Sequence, residues 1–140
     1  MKTIKKVREE ARRLHSCELF TGTENEEELT RLFLSPQGQE FCMENNFPDV
    51  QTLKDIFPNA ADNGIYIDAG DIELDNKAIV ALIGDTHAVL HYSDPSKRHE
   101  VILMHGARAD ISAEGYAVVF VSAGEGCSTT KNAGDNALIM

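Results

Sequence analysis

A pattern that returns about every twenty residues runs through the second half of this chain and restricts what the chain can become. Val80, Leu82, Thr86, Ala88 and Leu90 are matched twenty-one residues later by Val101, Leu103, Ala107, Ala109 and Ile111. A further shift of eighteen reaches Val119, Val121, Glu125, Cys127 and Thr129, and an ALIM segment begins about nineteen residues later still. Each unit reads apolar-x-apolar, a short break, then small-x-apolar, which is the period of two expected of short strands. One such unit cannot bury its inward face alone. Stacked units can, through ladder hydrogen bonds about 4.8 Å apart that set like residues in columns. The expected fold is α+β: an N-terminal helical cap followed by a short β-solenoid (β-helix) of about four coils. The rival is a jelly roll or cupin-like antiparallel β-barrel carrying N-terminal helices. In the solenoid, Ala88, Ala109 and Cys127 are expected to form a column of small residues at a tight corner. HYSDPSKRHE (91–100) is expected to bulge as a loop, with Pro95 in a turn.

The first half has a different period. Ile4, Val7, Ala11 and Leu14 recur at helical spacing. A second helix is expected to open at Thr23, with Glu26 completing a capping box, and to bury Leu29, Leu32 and Phe33. Ser35-Pro36 reads as a helix start leading to Phe41 and Cys42. Asp49 can cap a last short helix carrying Val50, Leu53, Ile56 and Phe57, which must end before Pro58. Residues 1–60 are therefore expected to be a helical capping region closing the open first coil, and 61–140 the β-rich region, together one folding unit.

At 140 residues the chain can bury about 70% of its unfolded surface without a metal or disulfide staple. Three cysteines (Cys17, Cys42, Cys127) with no CxxC pair point to reduced thiols and a cytoplasmic setting. The basic start, MKTIKKVREEARRLH, lacks a following apolar stretch and does not read as a signal peptide, and AIVALI and YAVVFV are too short to span a bilayer. Net charge is −10 but uneven: residues 1–14 hold six Lys/Arg against two Glu, the remainder seven against twenty-one acids. Such a body repels phosphate, so nucleic acid is not an expected partner.

Candidate chemistry is thin. His87 and His91 share one face of a strand but stand about 13 Å apart along it, too far to ligate one ion. A cupin-like metal site would need His87, His91 and His105 to converge. No cofactor motif is present: GEGCSTTKNAGD (124–135) lacks the order of a phosphate loop. Cys17 beside His15 reads as a buried thiol. Asp68, Asp71, Glu73 and Asp75 form an acidic ridge without the spacing that wraps calcium. Arg108 and Asp110 are expected to point outward on one face, close enough to pair.

ELFTGTENEEELTRLFLSPQGQEFC, NNFP, GIYIDAGDIEL and VILMHGARADISAEGYAVV together resemble a family of small uncharacterised proteins of anaerobic gut bacteria and their mobile elements. That resemblance implies no activity or site residue. The coil pattern is also similar in kind to that of bactofilins, cytosolic polymer-forming solenoids, departing from them in its helical half and uneven coils. The expected function is a non-enzymatic interaction protein that docks a protein partner or itself through solenoid faces or an open C-terminal edge, with a symmetric homodimer through the last coil. The binding candidates are Asp68, Asp71, Glu73, Asp75, Arg108 and Asp110. One alternative is an acidic nucleic-acid mimic that inhibits a DNA- or RNA-binding partner. Another is a metal enzyme using the three histidines.

Overall fold

The computed structural model describes residues 3–14, 20–134 and 136–140, so the reading of His15 and Cys17 falls outside the described residues. Four short helices come first: α1 (Ile4–Arg13), α2 (Glu26–Leu34), α3 (Pro36–Asn45) and α4 (Val50–Ile56). A side chain caps each N-terminus, respectively Thr3, Asn25, Ser35 and Asp49. The Ser35-Pro36 start, the Asp49 cap and the stop before Pro58 are as expected. The start of α2 lies two residues beyond the expected Thr23. Asn25 accepts from the Glu28 N–H at 2.8 Å while Glu28 accepts from the Asn25 N–H at 3.1 Å. Asparagine is the stronger N-cap, and Glu24 meanwhile receives the Thr21 and Gly22 amides. Glu26, released from the expected box, accepts from the Asn59 N–H at 2.9 Å.

Among the described residues nine strands follow in two parallel sheets. Sheet A orders β1 (Ile65–Ile67), β3 (Ile79–Ile83), β5 (Arg98–Met104), β7 (Val118–Ala123) and β9 (Leu138–Ile139). Sheet B orders β2 (Gly70–Asp75), β4 (Thr86–Tyr92), β6 (Arg108–Ala113) and β8 (Ser128–Ala133). The chain alternates between the sheets and climbs one ladder per circuit, a solenoid of roughly four turns. The antiparallel barrel is thereby overturned: every strand pair in the ladder is parallel.

The register matches the expected pairs Val80–Val101, Leu82–Leu103, Ala88–Ala109 and Leu90–Ile111. The next step is twenty residues, not eighteen, because Val101 pairs with Val121 and Ala109 with Thr129. A slip of two keeps every side chain on its face, so apolar periodicity alone does not distinguish the two shifts. Cys127 consequently stands beside Ala107, and the small-residue column ends in Thr129 instead. The expected 91–100 loop is also shorter. His91 and Tyr92 finish β4 and Arg98–Glu100 open β5, leaving 93–97 as the loop.

Coil length varies at one corner only. From Leu82 to Ala88, Leu103 to Ala109 and Ala123 to Thr129 the chain takes six residues each time. Across the opposite corner, Leu74 to Val80 takes six, Leu90 to Val101 eleven and Ile111 to Val121 ten. The constant corner uses the left-handed backbone, with Asp68, Gly84 and His105 at φ 49°, 69° and 57°. Thr86 seals it: its buried hydroxyl donates to the Ile83 carbonyl at 2.9 Å and accepts from the Ala69 N–H at 3.0 Å.

Two apolar cores result. The lumen holds Val80, Leu82, Ala88, Leu90, Val101, Leu103, Ala109, Ile111 and Val119. The second core lies outside sheet A, where Val7, Leu29, Phe33, Leu53, Ile56 and Phe57 pack on Ile65, Ala81, Ile83, Ile102 and Met104. The helices thus pack on the outer face of sheet A, from β1 of the first coil to β5 of the third. The reason is chemical: β3 and β5 present aliphatic residues on both faces, and each buried one is worth about 1.5–3 kcal/mol. The first coil's sheet B strand exposes an acidic outer row instead. His105 joins the two bodies, its Nε2–H donating to the Pro48 carbonyl at 2.7 Å.

Candidate functional site

The outer face of sheet B is the only broad strand surface that the helices leave uncovered along all of its described strands, and it carries most of the expected site residues. Parallel pairing sets them in transverse rows: Asp71, His87, Arg108, Ser128; then Glu73, Val89, Asp110, Thr130; then Asp75, His91, Ser112, Asn132. The alternation of these strands forces this, since Ile72, Ala88, Leu90, Ala109 and Ile111 turn into the lumen.

Hydrogen bonds run obliquely across the rows. His87 Nε2 lies 2.7 Å from Asp110 Oδ2 and its Nδ1 lies 3.4 Å from Asp71 Oδ1. The Thr130 hydroxyl donates to Asp110 Oδ1 at 2.6 Å. One connected line therefore crosses all four strands, from Asp71 through His87 and Asp110 to Thr130. The Thr130 hydroxyl, and then the His87 contact, hold the Asp110 carboxyl below the usual carboxylate range. A parallel contact joins His91 Nε2 to Glu73 Oε1 at 3.4 Å.

Other expected arrangements are not brought together. Asp68 is not part of the ridge: it occupies the constant corner, pairs with Lys54 at 2.6 Å and accepts from the Asp85 N–H at 2.7 Å. The Lys54 bond, followed by the Asp85 amide, lowers its pKa. Asp71, Glu73 and Asp75 do share the edge strand β2, but two of them face histidines. Asp110 bonds to His87 and Thr130, and no Arg108–Asp110 ion pair is found among the described residues. Arg108 acts on Asp110 only as a smaller, longer-range contribution to its lowered pKa. His105 sits at the corner on the Pro48 carbonyl, so the three histidines of the metal-enzyme reading do not converge. Among the described residues no group of three His, Cys, Asp or Glu side chains is disposed to hold a metal ion.

Chemically, a histidine between carboxylates can exchange a proton with solvent, and the carboxylates around His87 are open to water. Asp71 is 93% exposed at its side chain and Asp110 45%. Cys42 is unsuited to nucleophilic work, since burial pushes its thiol up to about 12.

Two residues of this region escape sequence reasoning. Thr130 enters the line only in the twenty-residue register. Lys131 occupies the lumen-facing column after Leu74, Leu90 and Ile111, so the last coil closes its sheet B edge with a charge. The signal was the loss of apolar residues in STTKNA. No protein-family model, curated protein or solved structure matches this chain.

Proposed function

We propose that the protein is a non-enzymatic cytosolic interaction module that forms a symmetric dimer through the sheet A side of its C-terminal coil. The carrying observation is the grouping of exposed apolar side chains there: Tyr116 is 68% exposed, Leu138 53% and Met140 52%. Leu138 is paired with Val118 on β7, and Met140 donates its N–H to the Val119 carbonyl, which places it beside Phe120. Among the described residues the helices pack over Ile83, Ile102 and Met104 of sheet A, while Tyr116, Leu138 and Met140 stay exposed. Soluble domains rarely leave a contiguous apolar patch without a use.

Two features select the flank as the contact. Lys131 stands in register with Ile111 on β8 and is exposed, a charge that blunts strand addition at that edge. Phe120 on β7 is already fixed under the Arg98 guanidinium, 4.1 Å from its ring centroid, so this end of sheet A is a preorganised surface. An isologous contact closes at two copies and gives a dimer rather than a filament. No helix among the described residues is long and apolar enough to cross a membrane.

Light scattering coupled to size exclusion at high micromolar concentration tests the reading. The native chain should run as a dimer and Leu138→Asp with Met140→Asp as a folded monomer. A native monomer, or a dimer indifferent to both substitutions, overturns it.

A further inference from the structure

His99 is fully buried within β5, in a column whose next member is Val119. The structure turns it into the lumen. Its Nδ1 lies 3.0 Å from the Lys77 carbonyl oxygen and its Nε2 lies 2.9 Å from the Asp94 carbonyl oxygen. Neither acceptor can donate, so each contact is a hydrogen bond only if that ring nitrogen bears a proton. A neutral imidazole carries one N–H and the imidazolium carries two. In the neutral ring, one nitrogen lone pair would face a carbonyl lone pair at hydrogen-bond distance.

The two carbonyls belong to different corner segments. Lys77 follows β2, and Asp94 lies in the 93–97 loop after β4. Asn76 already links them, its side-chain oxygen accepting from the Ser93 and Asp94 amides at 2.8 and 3.1 Å. His99 adds a second link from the third coil. Around the ring, the Tyr92 ring packs at 4.6 Å between centroids. The Asp94 carboxylate is bound by the Ser96 N–H and hydroxyl, and its pKa is lowered by Ser96 first, with smaller contributions from Lys97 and His99. Arg98 and Glu100 flank His99 on β5 but turn to the opposite face, where they approach each other at 3.4 Å. Lys77 meets the ring through its carbonyl.

We propose that His99 is a proton-dependent clasp: the charged ring ties the Lys77 turn and the 93–97 loop to the third coil, and loss of one ring proton frees one of the two segments. The freed segment borders a polar groove lined by Asp75, Asn76, His91, Ser93 and Glu114, whose outline changes with it. The sign is fixed by the geometry: the double contact is present at low pH and lost as pH rises.

Nitrogen-15 NMR of the full chain tests this by following the His99 ring nitrogens together with amide protection across 93–97. Both ring nitrogens should show the protonated signature on the acid side. Loop and turn protection factors, corrected for base catalysis, should then fall several-fold in step with the loss of the ring proton. A single neutral tautomer that persists to the acid limit of the folded state overturns the proposal, as does a ring titration that leaves protection unchanged. His99→Val continues the Val119 column and should abolish the pH-dependent part of loop protection. Retention of that dependence in the variant also overturns it. Where His99→Val fails to fold, the wild-type titration alone decides.

Discussion

Strand β3 reads IVALI and β5 reads RHEVILM, whereas β4 reads THAVLHY and β6 reads RADISA, although the four strands build the same two coils. The first pair is buried on both faces, by the lumen and by the helices; the second is buried on one and solvated on the other. Parallel strands covered twice become nearly continuous apolar runs, and strands covered once alternate. The difference shows that the helical half is part of the solenoid's design. Remove it, and Ile83, Ile102 and Met104 would face water as an aliphatic stripe. Sheet B needs no such cover because its outer face already satisfies itself with charge and hydrogen bonds.

The sharpest way to break this comparison is to put the same chemistry on both sheets. Ile102→Asp places a carboxylate under the helices and should cost at least about 3 kcal/mol, because no partner is near to pay for its desolvation. Denaturant melts should show a large fall in midpoint, or no cooperative transition at all. The reciprocal change on the solvated sheet, Asp110→Val, should cost less than about 1 kcal/mol. Equal costs at the two positions would mean that sheet A is not covered as described. Leu103→Ala opens the lumen, which both sheets share, and should lose about 2–5 kcal/mol in the same melts. Asn25→Ala weakens only the cover, through the N-cap of α2, and should lose about 1 kcal/mol. Its effect on amide protection should be concentrated in the helices and in the outward residues of β3 and β5.

The smallest effect is a pH dependence that belongs to the exposed side. Asp110 and Asp68 both hold protons less tightly in the folded state, through Thr130 and Lys54 first. A depressed carboxylate contributes stability above its unfolded pKa and loses it as pH falls through the folded one, so stability should drop below about pH 4. Thermal melts should show a shallower acid loss for Asp110→Asn. Both groups are exposed enough that the change will be modest.

The lumen was largely legible in the sequence because like residues recur at a fixed spacing, and Val80, Leu82, Ala88 and Leu90 found their partners at the expected distance. Legibility fell where the apolar signal thinned. In the last coil Val119 and Val121 are interchangeable as matches for Val101, and the sheet B lumen positions become Thr129 and Lys131, so the apolar pattern did not separate a step of eighteen from one of twenty, and Thr130 was lost with the register. The binding candidates were half legible. Strand alternation put Asp71, Glu73, Asp75, Arg108 and Asp110 on the outer face, while Asp68 needs the left-handed corner to explain it. His99 was illegible because a histidine in an apolar column looks like a polar interruption until both its carbonyl partners are seen.

Since every difference in coil length falls at a single corner, the other corner behaves as a spine and the variable one as an open margin. The spine is where the helical half is fastened, through Lys54 on Asp68 and Pro48 on His105, so it admits no extra residues without unseating that attachment. The margin has already absorbed five extra residues between the first and second circuits while the ladder kept its register. Sequence can therefore be acquired or grafted at the tip of that loop, beyond the Asp94 carbonyl that His99 holds, and at the turns stacked beside it, which makes that edge the place where such a chain can diversify while its fold stays fixed.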